Sequence, residues 1–181
     1  MNLHRINLEQ AIYFLAVIIA VVVRFASLRI VPLNDAEAAL ALQSLDLLSG
    51  GAVTLAPHPL YLLGTSLLFF IFGASEFSAR FLPAAAGVLM VGLPYLFRRQ
   101  LGRRAALILA FLIAFDPGLI GSSNQSGSLM IGLTCMMFAF AGWTHGKSIL
   151  AGVCAGLALL GGPAMWPGAA ALAIAAFSSY S

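Results

Sequence analysis

Residues 31–51 read VPLNDAEAALALQSLDLLSGG, and this stretch decides the fold. It follows a long apolar run directly and carries Asp35, Glu37 and Asp46, half of the six acids in the chain. Pro32 stops the preceding helix, since it has no N–H to continue the ladder. Asn34 is a good N-cap, and Glu37 three residues on completes a capping box. Ala38, Ala41, Leu42, Leu45 and Leu48 recur at helical spacing and form one apolar face. Gly50 and Gly51 end the helix. The segment is too short and too charged to cross a bilayer. It predicts an amphipathic helix lying at the membrane surface over 35–48.

The rest of the chain reads as membrane helix arranged around that loop. Of 181 residues, 61% are hydrophobic and 8% charged, and mean hydropathy is +1.01. Soluble domains are nearer a quarter charged. The class is therefore all-α, a polytopic transmembrane helix bundle with an amphipathic outer-face helix after the first span. A transmembrane barrel needs short alternating segments, and none occur. A signal peptide fits poorly, because Arg24 and Arg29 interrupt the place where small cleavage-site residues belong. The net charge of +3 comes from basic residues clustered between apolar runs, which points to topology rather than a nucleic-acid partner. Cys135 and Cys154 lie inside apolar runs, and His4, His58 and His145 are scattered. Neither a metal site, a disulfide framework nor a cofactor is implied.

The whole chain, 1–181, forms one membrane domain. Residues 11–30 make the first span if Arg24 and Arg29 sit near one end and snorkel. An outer loop over 31–80 holds the surface helix and the segment 58–73, which either spans or dips in and returns. Charge favours the return. It lets 82–97 cross inward and puts Arg98, Arg99, Arg103 and Arg104 in the cytoplasm, as the positive-inside tendency requires. Segments 105–120, 129–143, 149–160 and 168–177 then cross in turn, with GSSNQSGS (121–128) as an outer loop. The N-terminus is cytoplasmic, in a prokaryotic cytoplasmic membrane, and most acids lie outside. Gly152 and Gly156 form a GxxxG that permits close helix approach, with general Gly and Ala abundance the competing explanation. The ending SSYS, with no basic cluster, leaves two expectations: a chain cut short, or a small subunit whose edge a partner covers.

Three stretches in order carry a resemblance: RFASLRIVPLNDAEAALAL, then PHPLYLLGTSLLFFIFGASEFSARFLPAAAGVL, then YLFRRQLGRRAALILAFLIAFDPGLI. An arginine ends the first helix, and an acidic loop and a His/Pro-Leu-Tyr entry follow. A G-x-S-E-F-x-x-R-x-x-P-A turn and a basic L-G-R-R-A-A connection come next. The succession covers residues 24–120 and resembles the N-terminal part of the C-type membrane glycosyltransferases. That superfamily holds the dolichyl-phosphate-mannose protein mannosyltransferases and the aminoarabinose transferases. The resemblance implies a polyprenyl-phosphate sugar as donor and an acidic pair in the first outer loop. The Asp of that pair acts as base on the acceptor. The chemistry wants a carboxylate there, since the acceptor loses a proton as it attacks the anomeric carbon. A basic group must meet the departing phosphate.

The catalytic candidates on this resemblance are Asp35 and Glu37. Candidates for the donor phosphate or the acceptor site are Arg24, Arg29 and His58. The chain departs from the family pattern. Ala36 stands where the family has Asp, with Asp35 one position early. His58 lies between Pro57 and Pro59 rather than ahead of both. The loop 121–128 lacks the family's arginine and acid. Each candidate also has a structural explanation: macrodipole for Asp35, capping box for Glu37, snorkelling for the arginines, and an idle loop position for His58. Two readings stay open, a hexosyl-transferring enzyme or a degenerate, non-catalytic assembly subunit of a larger respiratory, photosynthetic or envelope complex. The partners are accordingly membrane lipids, a polyprenyl-phosphate sugar, or other membrane subunits. A small transporter or channel component ranks last, because polar residues inside the spans are scarce.

Overall fold

A computed structural model describes residues 8–26, 28 and 32–178, with side chains as far as Ala175. All regular structure among the described residues is helical. Two helices are long and apolar enough to cross a membrane. These are α1 (Leu8–Ala26, 19 residues) and α4 (Glu76–Leu96, 21 residues). They run antiparallel. Tyr13 near the start of α1 meets Tyr95 near the end of α4 edge-on, with ring centroids 5.1 Å apart. Phe25 near the end of α1 meets Phe77 and Phe81 in the first turns of α4, at 6.1 and 5.6 Å. The chain therefore leaves α1 and enters α4 at the same end of the bundle.

The intervening helices must begin and finish at that end. They are α2 (Asp35–Leu48) and α3 (Pro59–Phe72), each 14 residues and so about 21 Å long. They pack on each other, and the Ser66 hydroxyl donates to the Ser44 carbonyl at 2.7 Å. Leu42, Leu45 and Leu48 on α2 are exposed, as are Leu67 and Phe70 on α3. The apolar face of α2 thus turns away from the protein, which suits a helix bathed by lipid on one side.

A single turn, α5 (Arg98–Leu101), reverses the chain into α6 (Arg103–Phe115) and α7 (Pro117–Ser123). The last two are bent by 56° at Asp116, and as one broken span they supply a third crossing. α8 (Leu129–Thr144) runs parallel to α4. Phe140 stacks on Phe97 at 5.6 Å, and the His145 ring nitrogen Nε2 donates to the Leu96 carbonyl at 3.0 Å. α9 (Ser148–Leu159) returns along α8, and a 3-10 turn (Pro163–Met165) leads into α10 (Trp166–Ser178). This winding sorts charge. Arg98, Arg99, Arg103, Arg104 and Lys147 lie at the end where α4 finishes. Asp35, Glu37, Asp46, Glu76 and Asp116 lie at the opposite, acidic end.

Pro83 and Pro117 would each leave a carbonyl orphaned inside the bundle, since a proline removes the bond to the residue four earlier. Pro83 in α4 frees the carbonyl of Ala79, and the Tyr61 hydroxyl of α3 donates to it at 2.8 Å. Pro117 frees the carbonyl of Ile113, and Arg24 donates to it through Nη2 at 3.0 Å. Arg24 also reaches Ala114 O at 3.4 Å and Ser123 Oγ at 3.3 Å. Arg24 therefore does not snorkel. It is wholly buried, because the broken helix offers several acceptors together and a negative helix end. Arg29 lies outside the described residues.

Close helix approach also falls elsewhere than on Gly152 and Gly156. A methyl group added at either meets open space. At Gly142 it would come 2.9 Å from the Ala151 nitrogen across the α8–α9 interface, and at Gly87 it would strike Ser123 Oγ and come 2.8 Å from Arg24 Nε. Small residues matter where backbones or buried polar groups meet, not wherever the spacing recurs. Gly142→Val should then lower stability by about 1–3 kcal/mol through overpacking, while Gly152→Val stays within ~0.5 kcal/mol. Thermal unfolding in detergent checks this, and equal melting temperatures for the two variants would contradict it.

Candidate functional site

The N-terminus of α2 forms as its sequence dictates. Asn34 Oδ1 accepts the Glu37 N–H at 2.9 Å, and Glu37 Oε2 accepts the Asn34 N–H at 3.0 Å, closing the capping box. The Glu37 side chain does more than cap. It is buried and forms a two-pronged ion pair with Arg80 of α4. Arg80 Nη2 donates to Oε2 at 2.6 Å and Nε to Oε1 at 3.1 Å. Oε1 also accepts the N–H of Ser126 at 2.8 Å, from the loop between α7 and α8. Arg80 Nη2 in turn reaches the Pro32 carbonyl at 3.1 Å. One carboxylate thus joins three segments far apart in sequence.

A cleft of about 260 Å³ opens over this pair, lined by Pro32, Asn34, Glu37, Arg80, Gly121, Asn124 and Gln125. Asn34 and the Glu37–Arg80 pair give it a polar wall. Asp35 does not line it. It occupies the first position of α2 and is exposed. Ala36 beside it is exposed too.

His58 sits at the start of α3, on the other flank of the same loop. Its Nδ1 lies 2.7 Å from Ser128 Oγ. Ser128 gives its single hydroxyl proton to the Gly161 carbonyl, so the His58 Nδ1–H must be the donor between them. The neutral ring therefore keeps its lone pair on Nε2. Burial pushes the imidazole below its usual range, which keeps it neutral at pH 7. Gly127 turns the chain between Ser126 and Ser128 with a φ of +157°, open to glycine but costly for other residues. The loop is consequently pinned at Ser126 by Glu37 and at Ser128 by His58.

Asp116 is an exposed N-cap, its Oδ1 accepting the Leu119 N–H at 2.7 Å. Among the described residues no group of three or more His, Cys, Asp or Glu side chains is arranged to hold a metal. Of the sequence candidates among the described residues, only Glu37 lines the cleft, with His58 bordering its loop. Arg24 is spent on α6 carbonyls. Arg80 was not among the candidates, yet its signal was present. A lone arginine in the apolar run 76–97 needs a partner, and a buried carboxylate is the strongest available.

The pair has a measurable pH consequence. Burial pushes the Glu37 carboxyl up, but the Arg80 hydrogen bonds, the backbone amides of Asn34 and Ser126 and the Arg80 charge together bring it below the usual carboxylate range. A lowered folded value stabilises the fold fully above the unfolded value. That contribution is lost as pH falls through the folded one. Melting temperature should drop as pH falls below about 4.5, and Glu37→Gln should flatten that drop. At neutral pH Glu37→Gln should cost about 3–5 kcal/mol, since it strands the Arg80 charge. Melts of both proteins against pH check this, and superimposable profiles would contradict it.

A family model described as dolichyl-phosphate-mannose-protein mannosyltransferase matches residues 56–180, more than two thirds of the chain. The match starts just ahead of His58 and takes in α3 to α10. α1 and α2, with Asp35 and Glu37, precede it. No curated protein and no solved structure matches. With an all-helical bundle, apolar helices long enough to cross a membrane and this match, the chain belongs to the dolichyl-phosphate-mannose-protein mannosyltransferase family, as a membrane-integrated, glycosyltransferase-like protein.

Proposed function

We propose that this chain is a glycosyl-transfer module that takes a sugar from a polyprenyl phosphate at its acidic end, with Asp35 as the acceptor-activating base and Glu37 as a positioning residue. The family description names a lipid-linked sugar as donor. The acidic end faces outward and the basic end, with the N-terminus of α1, faces the cytoplasm. The positive-inside tendency supports this orientation.

The observation that carries the reading is the saturation of Glu37. Both its oxygens already accept two hydrogen bonds each, from Arg80 and from backbone amides. A carboxylate so held is a poor base, because protonating it gives up those bonds. Asp35, two residues earlier on the same clamped turn and next in sequence to the cleft-lining Asn34, is exposed. In the reaction an acceptor O–H or N–H gives its proton to Asp35 as the nucleophile attacks the anomeric carbon. The bond from that carbon to the phosphate oxygen breaks, and the polyprenyl phosphate leaves with the electron pair. That departing charge wants a donor group. Arg24, committed to Ser123 and two carbonyls, does not supply one. Arg29 remains the candidate for it, while His58, neutral with its lone pair on Nε2, suits the acceptor side instead.

A second reading rests on Ala36, which stands where the family has its Asp. On this reading the clamp survives as architecture, and the chain serves as a non-catalytic subunit of a larger membrane assembly. Sugar transfer by purified protein from a polyprenyl-phosphate donor separates the two. The enzyme reading predicts transfer that falls by about 10²–10⁴-fold in Asp35→Asn. Undetectable transfer by the wild type, with co-purification in fixed stoichiometry with other membrane proteins, would favour the subunit.

A further inference from the structure

The basic end carries a second concavity, unrelated to the cleft. Tyr95, Leu96, Arg98 and Arg99 from the α4–α5 junction and His145 from the end of α8 line a basin of about 270 Å³. We infer that this basin binds the phosphate of an anionic phospholipid headgroup, with Arg98 and Arg99 as its ligands.

The geometry leaves donors available. The Arg98 guanidinium lies over the Tyr95 ring, 4.0 Å from the centroid. Stacking uses the face of the guanidinium, one N–H is shared with the Tyr95 hydroxyl, and the remaining in-plane N–H groups are left for an oxyanion. The His145 Nε2–H is held by the Leu96 carbonyl, which fixes the ring as part of the wall. No carboxylate lines the basin. Glu9, the acid at this end among the described residues, lies 3.7 Å from Arg103 instead. Arg98, Arg99, Arg103, Arg104 and Lys147 against Glu9 leave this end strongly positive.

Depth argues for a lipid rather than a free ion. Tyr13 meets Tyr95, and Trp143 at the end of α8 meets Phe140, and such aromatics mark the headgroup zone. α4, long and apolar enough to cross, ends at Leu96. Leu96 and Leu101 are exposed beside the basin, where an acyl chain would lie. A cytoplasmic leaflet rich in anionic lipid supplies the charge that matches, at roughly fivefold in affinity per arginine.

The test uses the full chain in neutral detergent. Melting temperature is followed on titrating phosphatidylglycerol, phosphatidylcholine or inorganic phosphate. Phosphatidylglycerol should raise it saturably, and the other two should not. Arg99→Gln should weaken the apparent affinity about fivefold, and Arg98→Gln with Arg99→Gln about 25-fold. Arg104→Gln should leave it within twofold. An equal response to phosphatidylcholine would overturn the proposal, as would one to phosphate alone. Equal losses in Arg99→Gln and Arg104→Gln would also overturn it, because they signify diffuse attraction rather than a site. Arg99 is exposed, so its variant folds even if loss of the Arg98 stack disturbs the double change.

Discussion

A carboxylate can stay ionised out of water only if its charge is answered on every side. Glu37 meets that condition with an arginine 43 positions away and an amide 89 positions away. The demand works in both directions. Arg80 would be stranded in α4 without Glu37, and the Ser126 amide would lose its acceptor. Because none of the three groups is satisfied alone, α2, α4 and the loop 124–128 are held in one arrangement. Apolar packing does not do this for α2, whose buried residues are Glu37 and Ser44. Leu42, Leu45 and Leu48 face outward, and Leu40 and Leu47 are half-buried. The surface helix is attached to the bundle by polar contacts, and its apolar side is left for lipid.

The same accounting explains the interior below the cleft. α4 contains Pro83, and the α6–α7 span contains Pro117. Each removes a backbone donor where water cannot replace it. Tyr61 and Arg24 fill those two vacancies from other helices. The bend at Asp116 is therefore stabilised from α1, and Gly87 provides the room that Arg24 and Ser123 need. Arg24 and Arg80, both buried, are answered by helix-end carbonyls in one case and by a carboxylate in the other. Gly121 and Asn124 of the cleft flank the Ser123 that Arg24 holds, so its shape depends on groups that do not line it.

Local signals were legible in the sequence and distant ones were not. Asn34 and Glu37 are three residues apart, so their mutual capping follows from spacing alone. The membrane class followed from composition, and the family from the order of features between residues 24 and 120. The partner of Glu37 was not readable, because a pair 43 residues apart depends on how α4 stacks against α2. Arg24 was read as snorkelling because the sequence shows its distance from a helix end but not the carbonyls that Pro117 exposes across the bundle. GxxxG at Gly152 and Gly156 gave the right residue type on the wrong face. The close contact is at Gly142, which has its own GxxxG spacing with Gly146 just past the end of α8. His58 and Ser128 meet only once α8 and the turn at Gly161 are assembled.

The two ends of the bundle have different characters. The acidic end is built from pinned loops around a polar cleft, and the basic end is an open cationic rim at the level of interfacial aromatics. The central claim is that one carboxylate couples the surface helix to the loop beyond α7. Hydrogen exchange of the wild type and Glu37→Gln tests it most directly. The account predicts that amides of 124–128 and of the first turn of α2 lose protection together, while α8 and α9 are unchanged. Loss confined to α2, with Ser126 still protected, would contradict it.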